Sequence, residues 1–327
     1  MVFNDGHWLE GFCVRGVLHG FVRKFDEVGR LKGVSNYRNG VPFGVSWRII
    51  RGGGVVVGRA NPQGYLTGHR IAYLYPDFKT ALVGSFVDGC LEEGQETRLK
   101  SIVEDRGIKI PCFFELSGPT YKRAEMGCHV SKEPLLTDPY ENTMVTVKHS
   151  KVDGAHDGLH VQNHVEPNTI LAFYNGKKLT TEEMRDAPSW EDNAYRIFDP
   201  TRKNGTIDIP ENFINYDNYK ASLAHKTNHS FLPNAELVVF DHPRFGLVPC
   251  VLSTHDIKSG EEVFVHYGYE LTDCPDWYAE AWEQGKYPVP ETFKEWSYHA
   301  EVAPMCVDKI VDKIEDKKGI PIEALIK

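Results

Sequence analysis

Two short stretches hold side chains that could act together chemically. Lys226–Asn234 places Asn228, His229, Ser230, Pro233 and Asn234 within nine residues. Glu262–Tyr269 is an apolar, β-branched run that ends in Tyr267–Gly268–Tyr269. The first reads as a turn-rich loop crowded with hydrogen-bonding groups, the second as a strand delivering two phenols. Tyr174, in a run of its own, adds a third phenol. No Ser or Cys nucleophile stands beside His229, no GxSxG, HExxH, phosphate loop or kinase set is present, and Cys/His pairs at metal-ligand spacing are lacking. Amides, an imidazole and phenols suit positioning a cationic or amine substrate and excluding water, rather than nucleophilic attack.

Several short elements must hold these groups. Thr143–His149 reads as a strand, followed by the loop Val152–Leu159, whose Gly154 and Gly158 let backbone approach a ligand closely. Thr169–Phe173 reads as a second strand closed by a hairpin turn at Asn175–Gly176. Tyr219–His225 is expected to be a short helix. Glu236–Phe240 and Leu247–Leu252 read as strands around the turn His242–Gly246. Many short strands with few helices make this half a mostly-β domain.

The first 95 residues repeat. Gly11, Gly33, Gly58 and Gly84 recur at intervals in the twenties, each followed by a second glycine (Gly16, Gly40, Gly64, Gly89) and a third (Gly20, Gly44, Gly68, Gly94). Aromatic residues fall between and after them. One strand, a glycine turn and a second strand per unit stack into a β-hairpin solenoid, in which each unit buries its neighbour's face. At these residues the chain resembles MORN repeats, most clearly over Leu9–Gly20 and Leu82–Gly89.

The seven Cys of the 327-residue chain are odd in number, scattered and never in CxxC. They are expected to be free thiols in a reducing compartment. No run of eighteen apolar residues predicts a membrane span, and no secretory signal is expected at the start. Of the net charge of −9, residues 1–100 hold 13 Lys+Arg against 9 Asp+Glu, and the remainder 24 against 37. The acidic second half argues against nucleic acid as a direct ligand and favours basic partners.

Ala224–Asn234 resembles the NHSxxPN motif of SET domains, and Gly260–Tyr269 resembles their GEELxxxYxY motif. Together with Phe173–Gly176 and His242–Gly246, these make the chain similar to protein-lysine methyltransferases of the SET seven/nine type. The resemblance implies a mostly-β architecture: a MORN-like hairpin solenoid over 1–95, a connector with strands over 96–142, and a knot-like SET β domain with short helices over 143–270. A C-terminal segment, 271–327, would close the cofactor site and end in a helical tail. It implies S-adenosylmethionine as cofactor, held by Ala155, His156, Asp157, Asn228 and His229 and covered by Trp277. Tyr174, Tyr267 and Tyr269 would be the catalytic phenols. A substrate channel would run past Tyr174, Leu237 and Tyr267 to a lysine of histone H3 or another basic protein.

Two positions depart from the family's pattern. Leu237 stands where the family has a further channel tyrosine, so one hydrogen bond is absent and the channel is wider. His160 stands where the family has phenylalanine. The expectation is a monomeric enzyme of nucleus and cytoplasm, not limited to monomethylation. Its rival is a catalytically weak SET protein serving as a repeat-based scaffold or membrane-surface adaptor. The tail Val307–Lys318 shows helical spacing of Val307, Ile310, Val311 and Ile314.

Overall fold

The structure, a computed structural model, describes residues 2–105, 108–124, 130–186, 193–199, 202, 205–269, 271, 274–285 and 320–321. The chain is mostly β and divides into two compact units. One is built on Met1–Arg123 together with Asp241–Arg244, the other on Ala124–Phe240 and the described residues from Phe245 to Gly285. No helix of the described residues is long and apolar enough to cross a membrane.

The first unit is a ladder of antiparallel strands in which neighbours in sequence are neighbours in the sheet, from Trp8–Val14 through Thr80–Val87 to Cys90–Asp105 and Ile108–Phe113. The repeating glycines divide into two physical classes. At the turns Arg15–Gly16, Asn39–Gly40 and Asp88–Gly89 both central residues have positive φ, the backbone that matches the twist of paired strands in a tight hairpin. The first glycine of each repeat answers a different demand. Gly84 lies opposite Gly94 on the next strand, and a Cβ there would sit 2.6 Å from the Gly94 Cα and against the Glu93 carbonyl. Gly33 likewise faces the Trp47 carbonyl at 2.7 Å. Here glycine lets strands and side chains of successive repeats approach. The core fills with Val34, Trp47, Val57, Leu74, Val83 and Phe113, and the Trp47 indole donates to the Lys109 carbonyl at 3.0 Å. The strand Ile320–Pro321 pairs with Ile108–Phe113. The tail Val307–Lys318 lies outside the described residues.

The second unit is assembled from short sheets. Val145–His149 pairs with Asp157–Val161. Ile170–Phe173, Gly246–Ser253 and Ala235–His242 form a three-stranded sheet, and Lys177–Leu179, Gly205–Asp208 and Ile197–Asp199 another. Its core holds Leu159, Val161, Leu171, Ile207, Leu223, Val251 and Val263. Buried Glu141 joins distant pieces: its carboxyl accepts from the backbone N–H of Phe173 at 2.5 Å and of Leu223 at 3.1 Å.

Three sequence expectations change. Thr143 and Met144 end a helical turn, Glu141–Met144, and the strand begins only at Val145. Asn175–Gly176 does not close a hairpin, because Ile170–Phe173 pairs with Gly246–Ser253 and Lys177–Leu179 with Gly205–Asp208. Gly176 is needed for space, since a Cβ there would lie 2.6 Å from the Asp208 carbonyl. Tyr219–His225 is not a helix; only the single 3-10 turn Ala224–Lys226 forms. Tyr219 and Ser222 instead direct their hydroxyls to Asn175, with Asn175 N to Ser222 Oγ at 3.2 Å and Asn175 Nδ2 to Tyr219 Oη at 3.2 Å. Tertiary hydrogen bonds outweigh the helix propensity of the run.

The two glycine classes make separable demands. Gly84→Ala, which forces backbone apart, is expected to destabilise the first unit by about 2 kcal/mol or more. Gly16→Ala, with nothing within 4 Å of its Cβ, is expected to cost only the left-handed backbone strain, about 1 kcal/mol. Thermal unfolding of both variants checks the order, and equal losses would contradict it.

Candidate active site

The two motif stretches meet as strands. Asn228–His229 runs parallel to Phe264–Val265, with Asn228 opposite Phe264 and His229 opposite Val265. Asn234 clasps the pair: its Nδ2 donates to the Glu262 carbonyl at 2.9 Å, and its Oδ1 accepts from the Phe264 N–H at 2.8 Å. Ser230 N donates to the Val265 carbonyl at 3.0 Å. This pairing places Tyr267 against His229, whose Nδ1 accepts the Tyr267 N–H at 3.1 Å.

The phenols are tied down from the other side. Tyr267 Oη donates to the Thr227 carbonyl at 2.9 Å, and Tyr174 Oη to the Tyr195 carbonyl at 2.5 Å. Burial, reinforced by Tyr267 and Tyr195 nearby, pushes the Tyr174 hydroxyl well above the usual phenol range. Burial, then the neighbouring Tyr269 and Tyr195, raises Tyr267 in the same way. Both remain neutral across any working pH. Because each spends its proton on a carbonyl, the oxygen lone pairs are what it offers to a ligand. The Tyr269 ring stands edge-on to Tyr267 with centroids 5.9 Å apart. Leu237, half-buried on Ala235–His242, packs on the same apolar cluster as Tyr267, a cluster that includes Tyr174.

His229 sits among rings: Phe231, Tyr278, His266, Tyr267 and Trp277 lie with centroids 4.5–5.9 Å away. Trp277 belongs to the helix Asp276–Gly285 and is half exposed. Asn228 Nδ2 donates to the Asp157 carbonyl at 2.9 Å, and Lys226 Nζ bonds Asp157 Oδ2 at 2.8 Å although Lys226 is buried. Ala155 and His156 lie on the turn just before Asp157, with His156 at φ 56° and its carbonyl accepting from Ser150 N at 2.8 Å. Thus Asp157, Asn228, His229, Tyr267, Tyr269 and Trp277 are joined by direct contacts. Among the described residues Ala155 and His156 join them through the loop.

Several polar atoms around this cluster are buried without a hydrogen-bond partner among the described residues: His229 Nε2, Thr227 Oγ1 and both ring nitrogens of His225. With Nδ1 of His229 accepting, its Nε2 carries the proton and is buried without a well-formed hydrogen bond among the described residues. Buried polar groups in folded proteins have partners, and leaving one unmade costs about 1–3 kcal/mol. The orphaned donor, with the aromatic enclosure and the ordered loop, fits a ligand of mixed polar and aromatic character such as an adenosyl sulfonium. Sequence reasoning did not find Tyr195, His225 or Lys226. Tyr195 lies in an unpatterned stretch and carried no signal. Lys226 and His225 carried one, by standing inside the motif.

The chain matches the family described as "Histone H3 K4-specific methyltransferase SET7 N-terminal" over residues 37–108 and the SET domain over residues 126–268. It is 36% identical over 267 residues to the histone-lysine N-methyltransferase SETD7 of Halocynthia roretzi, covering 78% of this chain and 68% of that protein. Among solved structures, "ctPRC2 in an autoinhibited conformation bound to S-adenosylmethionine" is 18% identical with a TM-score of 0.31, over 48% of this chain and 19% of that one. A humanized mutant of the Chaetomium thermophilum Polycomb Repressive Complex 2 bound to the inhibitor GSK126 is 19% identical with a TM-score of 0.29, over 38% and 15%. This chain therefore spans a fifth or less of those two.

The buried imidazoles set a pH dependence. Burial, with the Lys226 charge adding to it, lowers His225 from 6.5 to about 3; burial, with His266 adding to it, lowers His229 to about 3. Between those values the unfolded chain binds protons that the folded chain refuses, so stability falls as pH drops through the window. The unfolding midpoint is expected to decline from pH 7 to pH 4, with a shallower slope in His225→Phe. Superimposable slopes in the two proteins would rule this out.

Proposed function

The chain belongs to the SET-domain family of protein-lysine methyltransferases, and we propose that the cluster around Asn228, His229 and Tyr267 is where it transfers methyl from S-adenosylmethionine to a lysine side chain. The observation that carries this assignment of residues is the parallel pairing of Asn228–His229 with Phe264–Val265. It puts an unpaired imidazole donor and a neutral phenol side by side. The cofactor, when bound, supplies a methyl carbon carried on a positively charged sulfur. Asp157, Asn228 and His229, with Ala155 and His156 on the adjoining loop, would hold it, and Trp277 would cover it.

The remaining residues act on the lysine. It arrives with a pKa of about 10.4 in water and must release a proton to bulk solvent to expose its lone pair. A site of low dielectric disfavours the ammonium and lowers that value. Tyr174 and Tyr267 cannot take the proton, since both are fixed neutral and already donate to the Tyr195 and Thr227 carbonyls. Their free lone pairs can accept from the amine N–H groups and so aim the amine. Catalysis by this chain is alignment and exclusion of water rather than acid–base relay.

Leu237 bears on the product. An aliphatic side chain at that place leaves room, and no hydrogen bond, for an amine that already carries methyls. Its half-buried position on the Tyr174–Tyr267 cluster supports this reading. We place the substrates among basic, histone-like proteins, with the enzyme working as a monomer in nucleus and cytoplasm and not on nucleic acid. The acidic balance of residues 101–327 supports the preference for basic partners.

Radiolabelled methyl transfer to histones is expected to be readily measured and to fall by roughly a hundredfold or more in Tyr267→Phe, a loss of about 3 kcal/mol of transition-state positioning. Mass spectrometry of methylated peptide is expected to show di- or trimethyl product. Leu237→Tyr is expected to shift it toward monomethyl. Monomethyl product alone from the parent would end the Leu237 reading.

A further inference from the structure

Glu262 belongs to the Gly260–Tyr269 motif but has no part in the roles above. It is buried, and its backbone is fixed by a bridge to His160, with Val161 N donating to the Glu261 carbonyl at 3.0 Å and Val263 N to the Leu159 carbonyl at 2.7 Å. Its carboxyl gathers three parts of the chain. Oε1 accepts from Ser150 Oγ at 2.7 Å and from Asn228 Nδ2 at 2.9 Å. Oε2 accepts from the Lys151 N–H at 3.3 Å. His160 closes the pocket: its Nδ1 donates to the Gly158 carbonyl at 3.1 Å, which leaves Nε2 facing Glu262 Oε2 at 3.9 Å.

Two consequences follow for the neighbours. Asn228 Nδ2 has two hydrogens, and both are used, one on the Asp157 carbonyl and one on Glu262. An amide whose nitrogen is held at both hydrogens cannot turn, so its Oδ1 is presented as an acceptor in one fixed direction. The second consequence concerns Gly158. A Cβ there would collide with Glu262 Oε1 and lie 2.8 Å from its Cδ and 3.2 Å from Asn228 Nδ2. Gly158, at the start of the strand Asp157–Val161, is therefore what lets the carboxyl reach both the preceding loop and Asn228.

We propose that Glu262 is a positioning residue of the cofactor site: it orients Asn228 and fastens the Ser150–Asp157 loop, so that both meet the cofactor's hydrogen-bonding groups already in place. This rests on the assignment of that site made above. The carboxyl does not touch the cofactor or the lysine; it acts through Asn228 and Ser150. Glu262→Gln keeps size and shape but turns an N–H toward Lys151 and His160, or, flipped, toward Ser150 and Asn228.

The test is calorimetric titration of the full chain with S-adenosylmethionine, beside steady-state kinetics in both substrates. For Glu262→Gln the expected result is cofactor affinity weakened about tenfold or more, with a matching rise in the cofactor's KM, a smaller fall in kcat and little change in the peptide's KM. Ser150→Ala, which removes one bond to the same oxygen, is expected to weaken cofactor binding about threefold in the same pattern, and it serves if Glu262→Gln does not fold. Cofactor affinity equal to the parent's in a folded variant overturns the proposal. So does a uniform loss in which kcat and both KM values worsen together as thermal stability falls. A parent that binds no cofactor sinks the assignment of the site as well, whereas a parent that binds and a variant that binds equally sinks only the role of Glu262.

Discussion

Two residues on each side of a short parallel ladder hold the second unit's chemistry together. Asn228–His229 and Phe264–Val265 are thirty-odd positions apart in the chain, and a ladder so short would not hold by itself. Asn234 makes it hold by bonding both the Glu262 carbonyl and the Phe264 N–H with one side chain. The proposed site hangs from this join. His229 meets Tyr267 through it, Thr227 offers its carbonyl to the Tyr267 hydroxyl because of it, and the ring cluster up to Tyr278 is built on its outer side.

The groups gathered there share one electrical property: they are polar but uncharged. Burial raises Tyr174 and Tyr267 and lowers His225 and His229, so each is pushed toward its neutral form. The charges that remain close by are compensated, as in the Lys226–Asp157 contact. A neutral, partly desolvated lining discourages an ammonium from keeping its proton, the more so beside a fixed positive charge. The selection of phenols, amides and imidazole thus follows from a reaction that consumes a neutral amine beside a positive charge.

The candidate site was legible in the sequence where its residues are crowded into motifs, and the ladder was legible where glycine recurs. Asn228, His229 and Tyr267 stand out because polar or aromatic groups at close spacing interrupt otherwise ordinary β sequence. Gly11, Gly33, Gly58 and Gly84 stand out by period, although only the structure shows that they serve close approach while the second glycine of each repeat, Gly16, Gly40, Gly64 and Gly89, serves a turn. What the sequence concealed depends on distant partners. Asn175–Gly176 has the composition of a hairpin turn, yet its strand pairs with Gly246–Ser253, and the glycine makes room for Asp208. Tyr219–His225 has helical composition, yet Asn175 recruits its hydroxyls. Tyr195 joins Tyr174 by its backbone carbonyl, a group every residue has, so no side-chain pattern could mark it.

The contrast in strand order between the two units has a temporal meaning. From Trp8–Val14 to Ile108–Phe113 each strand of the ladder finds a partner in residues made shortly before or after it, so loops to be closed are short and this stretch can form progressively as it emerges during synthesis; only Ile320–Pro321, among the described strands, joins from far along the chain. The second unit mixes local pairings, such as Val145–His149 with Asp157–Val161, with distant ones. Ile170–Phe173 waits for Gly246–Ser253, and Asn228–His229 waits for Phe264–Val265. A ribosome must therefore pass residue 253 before the apolar strand Ile170–Phe173 has its ladder partner, and residue 265 before the proposed methyl-transfer site can form. An early ladder of mostly local pairings and a late, interdependent second unit leave the nascent chain partly folded, and without the proposed site, for much of its synthesis.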